Sequence, residues 1–182
     1  MKQITNLKEA VAFLEACELA TSKDETRAAI NGLCIKWLEN EELWYVYVID
    51  GHMGIDTHMS DYILTEAYKE LTGHEIVRDG AVDSQTFWLN NTRRRKAQKK
   101  GWEIGDVAPK YENVKPQSFS NDVNTVPWHD ALLIGIIVKI ITKIEGKKAI
   151  IYNRPDKWDG LLGPAIWERD NYDILLMPAR KA

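Results

Sequence analysis

Residues 128–146, WHDALLIGIIVKIITKIEG, form a segment that is apolar on nearly every side and that any fold must cover. Its length predicts a helix ending at Gly146, but its many isoleucines also suit a pair of buried strands. A uniformly apolar run has no periodicity that would separate the two. The run is shorter than the ~20 residues that a membrane-spanning helix needs. It therefore requires cover from the same chain or from a second copy, which makes a homo-oligomer one expectation.

Six basic side chains lie within residues 93–100, on a chain of 182 residues that is otherwise acidic. The whole chain has 24 Lys and Arg against 27 Asp and Glu, a formal net charge of −3. This balance excludes a uniformly basic nucleic-acid binder but leaves room for one local anion-binding patch. The predicted DNA-binding residues are Arg93, Arg94, Arg95, Lys96, Lys99 and Lys100.

Clustered cations of this kind release counterions from a phosphate backbone, and arginine pairs with phosphate through two hydrogen bonds. Trp88 and Trp102 flank the run and have rings that suit stacking on an exposed base. A solvated loop or an exposed helix end is the alternative interpretation of the same residues.

The expected cellular compartment is inferred from the cysteines and from the N-terminal residues. Cys17 and Cys34 are too few for a disulfide framework, and both lie in apolar runs, which predicts buried free thiols. The first 18 residues have acids within their apolar stretch and no small-residue cleavage site, unlike a signal peptide. We expect a cytoplasmic protein that neither crosses nor binds a membrane.

Helices and hairpins alternate in the first part of the chain. Asn6 followed by Glu9 predicts the start of an amphipathic helix, and a second helix is expected from Ser60 or Asp61 to Gly73. Between them, residues 27–37 and 43–50 predict two strands joined by a loop, the second ending in an Asp50-Gly51 turn.

The second part repeats a helix-then-strands plan after an irregular middle. Residues 77–127 are rich in turn formers, apart from a short strand expected in DSQTFWLNN. After the 128–146 segment, KKAIIYN, GPAIW and YDILLMP predict three short strands. Helices grouped against hairpins predict an α+β fold rather than a doubly wound parallel sheet. We therefore expect one domain, with a first half at about 5–76, an irregular basic segment at 77–127 and a second half at 128–182.

An enzyme is the alternative function, and its best candidate site is the segment DGHMGIDTHMS. This segment contains Asp50, His52, Asp56 and His58, residue types that supply metal ligands or an acid–base pair. Hydrogen-bonded or surface side chains beside a turn are the other interpretation. The chain has no glycine-rich phosphate loop, no G-x-S-x-G elbow and no C-x-x-C pair. We predict no catalytic residues, no metal and no cofactor.

Three segments, in the right order, resemble the bacterial DNA polymerase III β subunit, the sliding clamp. Residues 24–55 resemble its "TR…LNG" strand and "TDGHRL" turn, YENVKP at 111–116 its connector, and residues 163–180 its closing strands, which end in "MPMR". The matching positions in the first segment are Thr26, Arg27, Asn31, Gly32, Asp50, Gly51 and His52. This chain has Met53 and Gly54 after the histidine, and Ala179 in place of the second methionine.

The resemblance implies a clamp-like domain of two helix-plus-antiparallel-strand halves and no catalysis. It implies a DNA replication or repair accessory, which encircles duplex DNA and binds short peptides of DNA polymerase or other partners. The peptide pocket that it implies is formed by Gly51, His52, Met177, Pro178 and Arg180. A ring needs six such domains, and this chain has the length of about one.

Small clamp-like proteins of this kind point to a phage or prophage source. A phage protein that binds nucleic acid or a host protein, keeping the domain without a ring, is the second expectation.

Overall fold

A computed structural model of the chain describes residues 1–21, 32–49, 52–79, 84–90, 92, 95, 99, 115, 120, 122, 131–147, 149, 154–160 and 163–178. The helices in this part are α1 (Leu7–Ala20), α2 (Asp61–Thr72) and α3 (Ala131–Glu145). The strands are β1 (Leu33–Leu38), β2 (Leu43–Ile49), β3 (Met53–Met59), β4 (Ser84–Phe87), β5 (Lys157–Trp158), β6 (Ala165–Glu168) and β7 (Asp173–Leu176). They form an antiparallel sheet in the order β4-β1-β2-β3-β7-β6-β5, which confirms the α+β class.

Helices α1 and α2 begin and end where the sequence predicts. The Asn6 side chain accepts a hydrogen bond from the Glu9 backbone N–H at 2.8 Å and donates one to the Glu9 carboxylate at 2.8 Å. Ser60 caps α2, and Gly73 ends it in the left-handed conformation at φ 74°. A residue with a Cβ is strained at that φ, so glycine suits this position.

The apolar segment is a helix, so the alternative of two buried strands is wrong. Its 15 residues bury Ile137, Ile140 and Ile141 completely or nearly so. Leu132 and Val138 are exposed on the other side, at 75% and 41%. In a helix, side chains three and four positions apart lie on one side, so Ile137, Ile140 and Ile141 face the core together. In a strand, side chains alternate between two faces, and these three would not all face the same side.

The sheet carries its helices on one face and a smaller apolar cluster on the other. The helix side includes Phe13, Ile35 and Val46 in one continuous core. The opposite side buries a second cluster of Cys34, Tyr45, Tyr47, Ile49, Ile166 and Leu175. Neighbouring residues such as Tyr45 and Val46 enter different clusters because side chains alternate along a strand.

Both cysteines are buried free thiols, as predicted. Burial raises the pKa of the Cys34 thiol to about 12 and also raises that of Cys17. The thiolate form is therefore strongly disfavoured at neutral pH.

The first hairpin is confirmed, and the segment DGHMGIDTHMS, predicted as a candidate site or as side chains beside a turn, contains a strand. β1 and β2 pair from Cys34 opposite Tyr47 to Leu38 opposite Leu43. The chain then continues into β3, between β2 and β7. The physical reason is an alternation of faces: Met53, Ile55 and Met59 enter the core on the helix side, and the positions between them lie on the other face, where Gly54 and Asp56 are buried as well.

Pairing between β3 and β7 joins the two parts of the sheet. The expected strands in DSQTFWLNN, GPAIW and YDILLMP are confirmed as β4, β6 and β7. Most of KKAIIYN lies outside the described residues, and the sequence did not predict β5. Within the described part of the chain, no helix is long and apolar enough to cross a membrane.

Candidate functional site

The structure brings together His52 and the segment of Met177 and Pro178. His52 is exposed just before β3, and the two others are half-buried just after β7. The backbone N–H of Met177 donates a hydrogen bond to the carbonyl oxygen of His52 at 2.8 Å. The sheet register explains this approach, since Met53 lies opposite Leu176. Gly51 and Arg180, the other members of the predicted pocket, lie outside the described residues.

The alternative catalytic group is not brought to one place. Asp56 and His58 share one face of β3, but His52 lies before the strand. His52 and His58 are six positions apart, which corresponds to about 20 Å of extended chain. Asp50 lies outside the described residues. In the part of the chain that the structure describes, no three His, Cys, Asp or Glu side chains are placed to hold a metal ion.

Asp56 belongs instead to a buried charged group, which we call the Asp56 cluster. Asp56 on β3 lies directly opposite Asp173 on β7. The Lys115 ammonium lies between them, 3.2 Å from Asp56 Oδ2 and 3.0 Å from Asp173 Oδ2. Tyr45 donates its hydroxyl to Asp56 Oδ2 at 2.9 Å, and Lys2 Nζ lies 2.5 Å from Asp173 Oδ1. The lysines thus balance two carboxylates that would otherwise repel each other across neighbouring strands.

Burial dominates the electrostatics of this cluster. It raises the pKa of the Asp56 carboxyl above its usual range; Lys115 opposes this rise and Asp173 adds to it. Burial also disfavours the charged form of Lys115, but the two carboxylates outweigh it and raise the Lys115 pKa. Asp56 Oδ1 is buried with no hydrogen-bond partner in the described structure. The arrangement holds Lys115 against the centre of the sheet.

His58 has a structural role in the same region. Its Nδ1 lies 2.9 Å from the carbonyl oxygen of Lys2, so the ring donates this hydrogen bond. Its backbone also bonds to the N-terminal segment, through Ile4 N–H at 3.0 Å and the Lys2 carbonyl at 3.2 Å. Burial lowers the pKa of His58 and favours the neutral ring. The ring and backbone of His58 are thus hydrogen-bonded to the N-terminal segment, as the alternative interpretation expects.

The predicted basic segment, residues 93–100, is described at two positions. Arg95 and Lys99 are exposed, and each has helical backbone. The chain enters this segment beside α1, where Asn90 Nδ2 donates to the Glu18 carboxylate and Asn90 Oδ1 accepts from the Thr92 N–H. Trp88 is half-buried. Arg93, Arg94, Lys96, Lys100 and Trp102 lie outside the described residues.

Comparison with known structures gives a distant structural similarity. No protein-family model matches the sequence, and no curated protein matches it. The chain is similar to a DNA polymerase III subunit beta. That protein is from Borrelia burgdorferi, and its structure was solved in complex with a natural product. The identity is 10%, the TM-score is 0.49, and the match covers 97% of this chain and 62% of the other. The chain thus spans less than two thirds of that protein's length, and neither fold nor function is assigned from a similarity of this size.

Sequence reasoning missed Lys115 and Asp173. A single acid within the apolar strand segment YDILLMP was a signal for Asp173, because a charge among buried residues requires a partner. Lys115 had no such signal. It lies 59 residues from Asp56 along the chain, and a contact across that distance leaves no local pattern.

Proposed function

We propose that this chain is a non-enzymatic, sliding-clamp-like accessory of DNA replication or repair, of phage or prophage origin, that tethers partner proteins on DNA. The observation that carries the proposal is the hydrogen bond from Met177 N–H to the His52 carbonyl. It lies between the two short segments to which the clamp resemblance assigns peptide binding. In clamps these segments belong to adjacent domains, whereas here one sheet holds both.

The basic segment is the proposed DNA contact. Arg95 and Lys99 are exposed, within the cation-rich run of a chain whose net charge is −3. A duplex phosphate backbone is the ligand that such a local cluster fits, because each neutralised phosphate releases bound counterions. Acids elsewhere on the surface then limit DNA contact to this segment.

We expect the double variant Arg95→Ala/Lys99→Ala to bind a labelled 30-base-pair duplex roughly tenfold more weakly at low salt. The slope of log affinity against log salt should fall by about two, since two phosphate contacts are lost. Fluorescence anisotropy across a salt series measures both quantities. The matched control is Lys69→Ala/Lys157→Ala, which removes the same charge from one exposed and one half-exposed ion pair elsewhere. An unchanged affinity and salt slope would mean that the basic segment does not contact DNA.

The peptide site is tested separately. A labelled peptide from the clamp-binding segment of a bacterial replicative polymerase should bind with a Kd on the order of micromolar. Met177→Ala removes a half-buried side chain beside His52 and should raise that Kd roughly tenfold. Leu132→Ala, on the exposed side of α3, is the control and should leave the Kd unchanged. Absence of binding up to submillimolar peptide would contradict the site.

A second candidate is a nucleic-acid-binding or host-interaction protein of the same fold that forms no ring. Glu15 and Glu18 on α1 favour it, since acids on the helix layer repel phosphates that pass along that layer. Retention on closed circular DNA, lost when the circle is cut, would support a ring. Equal retention on circular and linear DNA would favour the form without one.

A further inference from the structure

An open groove of about 700 Å³ runs along the helix layer, between α1 and α3. Its apolar part includes Leu19 and Val138, which are each 41% exposed. Its α1 edge is acidic and its α3 edge is basic. The residues that the argument uses are Glu15 on α1, and Lys139, Lys143 and Lys147 on or just after α3.

We propose that this groove is the interface for a second copy of this chain, related to the first by a two-fold axis along the groove. Such an axis places α1 of one copy against α3 of the other. The acidic edge of each copy then meets the basic edge of its partner, so that the patch is complementary to itself. Self-complementarity is the requirement that a symmetric dimer imposes on its interface.

Lys143 and Glu15 form an ion pair at 2.9 Å within one chain, so the two charges lie at the same position along the length of the groove. A two-fold rotation about an axis along the groove does not change a position along that axis. Glu15 of each copy therefore also meets Lys143 of the other. Two lysines and two glutamates then alternate around the axis. Lys139 and Lys147 form no ion pair with any described residue, which leaves them available for partner acids.

The apolar part of the groove favours a protein over a phosphate backbone. Leu19 and Val138 gain from burial against another apolar surface, and phosphates provide none. Gly135 lies one turn before Val138 on α3, and a Cβ built on it would meet no atom of the described residues within 4 Å. A glycine within a helix is less favourable than alanine, and the close approach of another helix is a reason to keep it.

Sedimentation velocity from 1 to 500 μM tests the interface and requires neither DNA nor peptide, so its result is separate from that of the proposed function. We expect a concentration-dependent dimer of two 20.9 kDa chains. Val138→Asp places a charge on an exposed residue and should weaken the dimer tenfold or more while the melting temperature stays near that of the wild type. Lys157→Glu, on β5 and not among the residues that line the groove, is the control and should leave the dimer unchanged.

Charge reversal provides the sharper test. Lys143→Glu and Glu15→Lys should each weaken self-association, because like charges then meet across the axis. An equimolar mixture of the two variants should restore a dimer, since every facing pair is again of opposite sign. A monomer at all concentrations would overturn the proposal, and so would a dimer that Val138→Asp and both reversals leave intact. Failure of the mixture to associate would overturn the two-fold arrangement.

Discussion

Lys115→Met should lower the free energy of unfolding by about 3 kcal/mol at neutral pH, since removal of one partner leaves buried carboxylates without compensation. Lys115 is the cation that lies between Asp56 and Asp173, and Asp56 is almost completely buried. Urea denaturation at 25 °C measures the loss. Lys157→Met is the matched control, because it removes the same charge from a half-exposed pair with Glu168 and should cost less than about 1 kcal/mol.

The pH dependence of this loss has a definite sign. The pKa of Asp56 is higher in the folded chain than in the unfolded one, so its contribution to stability is greatest at low pH and falls as the pH rises through the folded pKa. Removal of Lys115 raises that pKa further. The deficit of Lys115→Met should therefore be smallest in acid and grow toward neutral pH. Addition of Asp56→Asn should recover most of it, and a deficit that is independent of pH would contradict the electrostatic explanation.

Tyr172→Ala should cost about 3–5 kcal/mol, which is typical of the truncation of a large buried aromatic side chain. Tyr172 is 1% exposed, and its ring meets that of Phe13 on α1 edge-on, with centroids 6.2 Å apart. Its hydroxyl donates to Glu145 Oε1 on α3 at 2.8 Å. One side chain before β7 thus contacts both helices that form the groove.

Tyr172→Phe separates the two contributions. It keeps the ring and removes a hydrogen bond to a carboxylate that Arg169 also holds, so the expected loss is about 1.5 kcal/mol. Burial raises the pKa of Tyr172, and Glu145 adds to the rise, so the hydroxyl stays protonated and the difference should not depend on pH near neutrality. Equal losses for the two variants would mean that packing against Phe13 contributes little.

Features with local causes were predictable from the sequence. Asn6 and Glu9 are three residues apart, and Gly73 directly follows the last turn of α2, so each boundary is visible in a short window. β3 was obscured because Asp56 and His58, at alternate positions of a strand, resemble a cluster of site residues. Only the register shows that Asp56 lies opposite Asp173 and that His58 bonds to the N-terminal segment.

The candidate site was predictable only in part, because short segments are visible in the sequence and the pairing of distant strands is not. A resemblance between short segments selected His52 and Met177, and strand pairing then placed them together. The Asp56 cluster was not predictable, because Lys2 and Asp173 are 171 residues apart in the chain. The α1–α3 groove depends on how two helices pack, which the amphipathic pattern of each helix alone does not determine.

Pairing between β3 and β7 also bears on the order in which the chain folds. β1, β2 and β3 pair with their neighbours in sequence, and such hairpins form within microseconds. The junction with β7, by contrast, joins Thr57 to Asn171 across 114 residues, and the entropy of closing so long a loop must be lost before the contact stabilises anything. The three-stranded meander should therefore form early, and closure of the sheet at β7 should limit the folding rate.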